Sequence, residues 1–325
     1  MFERVTVDLG RAPEQRWYFM TEAHAREARA LADFYLRDLG PLEELAPAIL
    51  PIAEGLLDES VKRELAALSQ KLDVPRERLY LANLYYDAFR VVLGCTGIAI
   101  DRDDGPIHAR NLDWWSPARL LATSTWIVRY EGAPAGPFEV VGWPGFVGAF
   151  SAMAPGRFSV SMNAVAAVNE KPTIGGSVPM VVRRVLETAR TYDDAVTELS
   201  RVPLTADCLL LVTGVRGREL VVIERTSTRA ELRAAENGIL VVTNDYRAMP
   251  GEVSKRGDGT LALTADGRYQ RALALCLQQT PRDAREAFAI LADAKVRMDM
   301  TVQQMFLRAA TGELVAVDPK ERASG

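Results

Sequence analysis

The sequence predicts an α+β domain in which helices and strands come in separate blocks. Residues 1–90 have a mostly helical pattern, and the character changes sharply at Leu93, Gly94 and Cys95, where β-branched runs and turns begin. Further along the chain, helices, then strands, then helices follow one another. Blocks of this kind are typical of layered α+β folds, whereas a parallel sheet needs strands that alternate with helices.

The N-terminal block begins with a short strand and continues with amphipathic helices. The alternation in FERVTVDL predicts a strand over residues 2–9. Thr21 is suited to cap the helix that follows it, and Pro75 is suited to open the last helix of the block. The predicted helices cover residues 21–39, 60–72 and 75–89, with an interrupted segment over residues 42–57 that contains Pro47 and Pro51.

The C-terminal block begins with a predicted β-hairpin. Two apolar runs, CTGIAI and IHARNLDW, flank the turn DRDDGP, as the strands of a hairpin do. Further strands are predicted in STWIVRYEG, PFEVVGWPG, VGAFSAMAPG, RFSVSMNAV, CLLLVTGV, ELVVIERT, RAELRAAE, GILVVTN and ELVAVD. Helical spacing covers residues 178–186, 192–199, 268–277 and 281–291. Short strands at close spacing favour an antiparallel sheet.

Composition excludes several classes of function. The chain has 325 residues, of which 48% are hydrophobic and 25% charged, and its net charge is −4. These values are typical of a folded protein of one large or two modest domains. Lys and Arg form no run, so we expect no nucleic-acid partner. The charged N-terminus lacks the apolar segment of a signal peptide, and no apolar stretch reaches the roughly 18 residues of a membrane span, which predicts a cytoplasmic location.

The cysteine and histidine counts limit the chemistry further. Three cysteines without a CxxC pair favour neither a disulfide framework nor a zinc site. Cys208 and Cys276 lie in apolar runs and are assigned to the core. The two histidines, His24 and His108, are too few for a multi-histidine metal site. No glycine-rich phosphate-binding loop occurs. We therefore expect no metal and no organic cofactor.

Cys95 is the candidate nucleophile because of its neighbours in the predicted hairpin. In an antiparallel pair, the start of one strand lies beside the end of the other, which brings Arg110 and Asp113 next to Cys95. An adjacent arginine favours the thiolate and lowers the pKa of a cysteine. On a regular strand Arg110 and Asp113 point to opposite faces, so both reach the thiol only if the strand bends. The alternatives are a small buried hydrophobe at Cys95 and a surface ion pair between Arg110 and Asp113.

The hairpin resembles a known maturation site. GCTGIAIDRDDGPIHARNLDW is similar to the Cys-Thr, hairpin and His-Gly-Arg-Asn-(Leu/Met)-Asp segment of acid ceramidases and N-acylethanolamine-hydrolysing acid amidases, in the cholylglycine hydrolase branch of the N-terminal nucleophile hydrolases. Weaker similarities occur on either side of it. VTVDLGRAPEQRW resembles the opening of the ceramidase α-subunit, and SMNA, LVVTNDY and DGR resemble later motifs of the family in the same order.

The resemblance implies a fold and a set of site residues. The fold is a four-layer αββα sandwich with an N-terminal helical segment, and the chain divides into a pro-segment, residues 1–94, and a catalytic domain, residues 95–325. The implied site consists of Cys95 as nucleophile, Arg110 and Asp113 around it, Asn244 as an oxyanion or substrate-positioning residue, Arg268 as a second arginine and Asn163 as a further polar contact. The chain departs from the family at Ala164, where an acidic residue is usual, and at Ala109, where glycine is usual.

The implied reaction needs no histidine. Cleavage between Gly94 and Cys95, by attack of the thiol on the Gly94 carbonyl, gives Cys95 an α-amino group with a reference pKa of about 7.7–8.0. That amine can take the thiol proton, as in N-terminal threonine enzymes. The resemblance thus implies a self-processing cysteine amidohydrolase that cleaves linear N-acyl amides, such as N-acylethanolamines or ceramide-like lipids, through an S-acyl enzyme. The cleaved residues 1–94 are expected to stay bound as a partner.

A groove for an acyl chain requires large apolar side chains at the mouth of the site. The candidates for substrate contact are Trp114, Trp115, Trp143, Tyr86 and Phe89, with Phe146, Phe150 and Met180 as further wall residues. Core positions are the alternative for most of these side chains. The segment VPMVV before Arg183 and Arg184 is either the start of a buried helix, the interpretation we favour, or a patch for transient contact with a membrane surface.

Other functions stay open at this point. The same fold serves bile-salt and penicillin V hydrolases, and an acyltransferase would use an amine in place of water. A pair of Cys95 and His108 would give a thiol hydrolase of another kind, although the two residues lie on opposite strands of the hairpin. An uncleaved binding protein is the non-enzymatic alternative.

Overall fold

Two β-sheets packed face to face form the centre of the fold. The computed structural model describes residues 2–37, 46–55, 57–89, 94–165, 175–249 and 260–320. In spatial order, sheet A contains β1 (Glu3–Asp8), β4 (Trp126–Glu131), β5 (Phe138–Gly142), β6 (Ser151–Ala154), β7 (Phe158–Ala164), β8 (Cys208–Thr213), β9 (Leu220–Arg225) and β10 (Ala230–Ala234). Sheet B contains β11 (Ile239–Val242), β2 (Gly94–Ile100), β3 (Ile107–Asp113), β12 (Thr301–Arg308) and β13 (Glu313–Val317).

Helices cover the outer face of each sheet. Sheet B is covered by α9 (Thr260–Gln278) and α10 (Ala284–Leu291), whereas α7 (Val178–Thr188) and α8 (Tyr192–Arg201) lie on the side of sheet A. The remaining helices share the hydrophobic core of sheet A: α1 (Glu22–Arg37), α2 (Ala46–Gly55), α3 (Glu59–Leu72), α4 (Arg76–Asn83), α5 (Tyr85–Phe89) and α6 (Leu120–Thr123). The predicted α+β fold with four αββα layers is confirmed. Among the described helices, none is long and apolar enough to cross a membrane.

The alternation of side chains along β2 explains how the two sheets meet. Ile98 and Ile100 face α9 and α10, whereas Cys95 and Gly97 face sheet A. A Cβ atom at Gly97 would lie 3.1 Å from Leu211 Cδ2 of sheet A, so the absence of a side chain lets the sheets approach closely here. This close approach brings the neighbouring Cys95 thiol against β7.

The N-terminal residues are built into the same layers. β1 extends the edge of sheet A by pairing in parallel with β4, so the predicted strand over residues 2–9 is confirmed. Glu64 of α3 accepts hydrogen bonds from Arg16 (2.7 Å), Trp17 Nε1 (2.8 Å) and Arg183 Nη2 of α7 (2.7 Å). All four side chains are buried. Burial alone would raise the pKa of Glu64, but Arg183 and Arg16 hold it below its ordinary value.

The structure differs from the sequence prediction in several elements. The segment predicted to be interrupted over residues 42–57 contains one helix, α2, which continues through Pro51. The helix α9 begins at Thr260, eight residues before its predicted start. The single helix predicted over residues 75–89 is divided at Leu84 into α4 and α5. The strand β12 is not predicted, because Gln303 and Gln304 interrupt its apolar pattern. Both amides are nevertheless buried, and they donate hydrogen bonds to Thr125 and Asn111. Residues 38–45 of the predicted helical segments lie outside the described residues.

The segment VPMVV is the start of a buried helix, as favoured above. Val178 and Val182 are fully covered, and Arg183, which follows them, pairs with Glu64 rather than facing solvent. The alternative interpretation as a membrane-contact patch is therefore wrong for this segment.

We expect Glu64→Gln to destabilise the protein strongly. The substitution leaves the buried Arg16 and Arg183 without their anion, and breaking a buried pair in this way costs about 3–5 kcal/mol. Glu59→Gln is the matched control on the same helix, since its partner Lys62 is a surface residue and such pairs are worth about 0–1 kcal/mol. Urea unfolding at neutral pH measures both variants. A loss for Glu64→Gln no larger than that for Glu59→Gln would contradict this assignment.

Candidate active site

Arg110 holds the Cys95 thiol between the two sheets. Cys95 is the second residue of β2 and is fully buried, and Arg110 points to the same side of sheet B from the paired strand β3. Arg110 Nη2 lies 2.8 Å from Cys95 Sγ. The guanidinium also donates to the Phe150 carbonyl (2.8 Å), Ser151 Oγ (2.6 Å) and the Met162 carbonyl (2.7 Å), all on the side of sheet A. The predicted neighbourhood of Cys95 and Arg110 is thus present.

The effect of this neighbourhood on the thiol pKa differs from the expectation. Complete burial raises the pKa of Cys95, and the positive charge of Arg110 offsets that effect only in part. The expected lowering of the pKa is therefore wrong for the intact chain. Burial disfavours the thiolate more than one arginine favours it, so the thiol is protonated in this state.

Asn244 and Arg268 hold the backbone of Cys95. The Cys95 amide donates to Asn244 Oδ1 at 3.2 Å, and Arg268 donates to the Cys95 carbonyl at 2.6 Å and to Asn244 Oδ1 at 2.7 Å. Asn244 Nδ2 donates to the Ala164 carbonyl at 2.7 Å. Because two groups donate to Oδ1 and Nδ2 donates to a carbonyl, the orientation of the Asn244 side-chain amide is fixed. Asn244 thereby positions the nitrogen of the Gly94–Cys95 peptide bond.

Asp113 lies on the other face of β3, beside Gly94. The strand does not bend to bring it to the thiol; in the strand register it pairs with Gly94. A Cβ atom at Gly94 would lie 3.1 Å from Asp113 Oδ2, so the carboxyl group adjoins the Gly94–Cys95 peptide. Thr301 donates to Oδ1 at 2.5 Å, while Oδ2 has no hydrogen-bond partner among the described residues. Burial raises the pKa of Asp113 to about 6, although the Thr301 hydrogen bond and two arginines oppose the shift.

Asn163 connects β7 to the end of β11. Its Nδ2 donates to the Thr243 carbonyl at 2.8 Å and to the Val242 carbonyl at 3.4 Å. Its Oδ1 is buried and has no partner among the described atoms. Asn163 therefore ties together the two segments that carry the Ala164 carbonyl and Asn244.

His108 is bound elsewhere and cannot serve the thiol. Its ring lies between the hydroxyl groups of Ser159 (2.9 Å from Nδ1) and Ser161 (2.8 Å from Nε2). It pairs with Ala99, four residues from Cys95, which is about 13 Å along a strand. Burial and the nearby Arg110 lower the pKa of His108 to about 3, so the ring is neutral. The alternative of a Cys95–His108 thiol hydrolase has no support in this geometry.

The aromatic candidates occupy different environments. Trp114 and Trp143 are buried and meet edge to face, with 5.7 Å between their ring centroids. Tyr86 is buried as well, and its hydroxyl donates to the Asp207 carbonyl at 2.7 Å. Trp115, in contrast, is 62% exposed and directly follows the buried Asp113–Trp114 pair. The side chain of Phe89 lies outside the described residues.

The remaining candidates have core positions. Phe146, Phe150 and Met180 are buried, as the alternative interpretation of the wall residues predicts. Cys208 and Cys276 are fully buried too, so their assignment to the core is confirmed.

Sequence reasoning missed two side chains of the site. Thr301 opens β12 and holds Asp113, but that strand is not predicted, so no local signal marks the residue. Ser151 lies at the start of β6 and accepts a hydrogen bond from Arg110; in the sequence it is one small polar residue within an apolar run.

Comparison with known proteins finds distant relatives of the chain. No family model matches the chain. It is 24% identical over 254 residues to acid ceramidase of Balaenoptera acutorostrata scammoni, covering 68% of this chain and 62% of that protein. It is 27% identical over 234 residues to the N-acylethanolamine-hydrolyzing acid amidase of Rattus norvegicus, covering 67% of this chain and 62% of that protein. The chain thus has relatives among the acid ceramidases and the N-acylethanolamine-hydrolysing acid amidases.

A solved structure has a similar fold. A Caenorhabditis elegans N-acylethanolamine-hydrolyzing acid amidase ortholog matches with a TM-score of 0.54 at 23% identity, over 66% of this chain and 93% of that one. The chain spans about three fifths (62%) of the length of the curated relatives that it matches.

We expect Thr301→Val to raise the pKa of Asp113 above its value of about 6. The Thr301 hydroxyl donates to the carboxylate, and a donor to the charged form lowers the pKa. Thr301→Ser keeps a hydroxyl and should leave the pKa near that of the wild type. Carboxyl-carbon NMR titration, assigned with Asp113→Asn, measures the shift. An unchanged pKa in Thr301→Val would show that this hydrogen bond does not set the ionisation of Asp113.

Proposed function

We propose that the protein is a self-processing cysteine amidohydrolase that acts on linear N-acyl amides with Cys95 as its nucleophile. One observation carries the proposal. The thiol, the amide nitrogen and the carbonyl of Cys95 are each held by a separate buried side chain, namely Arg110, Asn244 and Arg268. A merely structural cysteine needs none of these contacts, whereas a residue that becomes a catalytic N-terminus needs all of its atoms positioned.

The first step of the proposed reaction cuts the chain. Cys95 Sγ adds to the carbonyl carbon of Gly94, the bond from that carbon to the Cys95 nitrogen breaks, and the nitrogen keeps the electron pair and takes the thiol proton. Water then hydrolyses the resulting thioester, which gives a carboxylate on Gly94 and restores the thiol. The position of Gly94 favours this step, because a side chain there would collide with Asp113 and Met298.

After cleavage, the α-amine of Cys95 supplies the base that the site lacks. Asn244 Oδ1 already accepts a hydrogen bond from this nitrogen, and the unpartnered Asp113 Oδ2 next to the bond is a second acceptor. The neutral amine takes the thiol proton when Sγ attacks a substrate amide and returns it to the leaving amine. Donors to the tetrahedral oxyanion are worth about 2.7–4 kcal/mol each, and we assign this role to Asn244 Nδ2, which donates to the Ala164 carbonyl in the intact chain.

The substrate class follows from the relatives and from the apolar surroundings of the thiol. The related proteins are named for ceramide and N-acylethanolamine, which are both amides of fatty acids. Trp114 and Phe150 pack edge to face beside the Arg110 site, and Trp115 is exposed at the same end of β3. We therefore propose fatty-acyl amides as substrates, with residues 1–94 and 95–325 as the two products of self-cleavage. Residues 1–94 then remain bound as part of the enzyme.

We expect Cys95→Ala to give a permanently intact chain, because no thiol is present to start the acyl shift. Intact-mass measurement should find fragments 1–94 and 95–325 in the wild type and only the full chain in the variant. Cys276→Ala is the control, since that thiol is buried on the side of α9 that packs on sheet B and should not affect cleavage. Cleavage of Cys95→Ala at the same bond would mean that an outside protease acts. Activity on N-acyl amides of varied chain length, absent in Cys95→Ala, tests the second half of the proposal.

We expect Arg110→Lys to lower kcat/KM by at least about tenfold, or roughly 1.4 kcal/mol of transition-state stabilisation. Lysine keeps the charge but not the planar fork that bonds the thiol and three further acceptors at once. Arg129→Lys, on the partly exposed surface of β4, is the matched control. Equal kinetics of the two variants would mean that the guanidinium geometry plays no part in the reaction.

A further inference from the structure

Glu224, on β9, is a buried carboxylate whose partners among the described residues are all N–H donors. Oε1 accepts from Arg233 Nε (3.0 Å) and from the Arg247 amide (3.0 Å). Oε2 accepts from the successive amides of Arg247 (2.8 Å), Ala248 (2.8 Å) and Met249 (3.0 Å). The side chain is fully covered. Three successive amides that converge on one carboxylate fix the path of the chain there.

The stretch fixed by Glu224 comes directly after the site residue Asn244. Arg247 follows Asn244 by three residues, and between them the Tyr246 hydroxyl donates to the Arg225 carbonyl at 2.6 Å. The chain is thus tied at two points to the end of β9. A shift of this stretch would move Asn244 relative to the Cys95 nitrogen that it holds.

The same stretch is joined to the first half of α9. Arg247 Nη2 donates to Asp266 Oδ1 at 2.9 Å, and its guanidinium carbon lies 3.4 Å from the centre of the Tyr269 ring. Asp266 and Tyr269 flank Arg268, the residue that bonds the Cys95 carbonyl. Glu224 is therefore linked, through residues 247–249, to both Asn244 and Arg268, the two residues that hold the Cys95 backbone.

We propose that Glu224 is a positioning residue that sets Asn244 and Arg268 against the Cys95 backbone through the 247–249 stretch. It touches neither the thiol nor the bond that is cut. The inference rests on the function proposed above, in which those two residues hold the reacting Cys95.

The chemistry of the contacts explains why a glutamate is needed. A carboxylate only accepts hydrogen bonds, and every partner of Glu224 donates. A glutamine at this position has an NH2 group, which would face either the three backbone amides or Arg233. In both cases two donors would point at each other. Removal of the Arg233 donor would allow the glutamine Oε1 to face the amides, so a second substitution should repair the first.

The experiment follows the cleavage of the full chain at the Gly94–Cys95 bond by intact mass, so the protein serves as its own substrate. We expect Glu224→Gln to slow cleavage on the order of 10- to 100-fold, since small displacements of positioning groups cost rates of that size. The double variant Glu224→Gln with Arg233→Met should recover most of the rate. Glu231→Gln is the control, because Glu231 pairs with Glu224 in the strand register but is exposed. Glu224→Asp, which keeps the charge but is shorter, should be slowed as well.

The outcomes separate this inference from the proposed function. A wild-type chain that stays intact, or a Cys95→Ala chain that is cut, would overturn the proposed function and this inference with it. A wild type that cleaves itself, together with a Glu224→Gln variant as fast as Glu231→Gln, would overturn the role of Glu224 alone. A slow Glu224→Gln variant that Arg233→Met does not repair would also overturn it. Where Glu224→Gln fails to fold, wild-type rates in Glu224→Asp would decide against the role.

Discussion

The contact on which the site depends is the guanidinium of Arg110 between the two sheets. Arg110 belongs to sheet B, yet three of its four acceptors lie on the side of sheet A, and the fourth is the Cys95 thiol. A buried cation must keep its hydrogen bonds, so this residue fixes the spacing of the sheets and the position of the thiol together. The absence of a side chain at Gly97 and the short side chain of Ser151 leave room for that spacing.

Burial and charge act in opposite directions at this site, and their balance depends on whether the chain is cut. In the intact chain, burial raises the pKa of Cys95 and of Asp113, so the thiol stays protonated and the carboxyl group takes up a proton at a higher pH than a free aspartic acid does. In the proposed reaction, an amide N–H becomes an amine that can carry a positive charge beside Asp113. A nearby cation favours the ionised carboxylate, so the pKa of Asp113 should fall after cleavage. The cut thus changes the electrostatics of the site without requiring a new side chain.

The sequence could predict the part of the site that is local. The hairpin of β2 and β3 is short and strongly patterned, so the placement of Cys95 and Arg110 on one face, and of Asp113 on the other, follows from strand geometry. Contacts between distant segments could not be predicted. Thr301 lies on a strand that lacks an alternating apolar pattern, because it contains two buried glutamines. In the sequence Glu224 is only a polar residue at the end of a strand, and its role depends on the amides of residues 247–249, which are distant in the chain. The sign of the Cys95 pKa shift also depends on burial, which no local motif shows.

The contacts across the division at Gly94 explain why cleavage there would leave the architecture intact. β1 is hydrogen-bonded to β4, and Glu64 binds Arg183 in the core. Close to the bond itself, Asp87 of α5 accepts hydrogen bonds from the Val178 amide and from the Ser177 and Thr205 hydroxyls. None of these contacts passes through the Gly94–Cys95 peptide, and buried apolar surface contributes about 25 cal/mol per Å² in addition. Loss of that one bond removes a covalent link while the packing that surrounds Cys95 stays in place, which is the condition under which a new N-terminus can act as a catalyst.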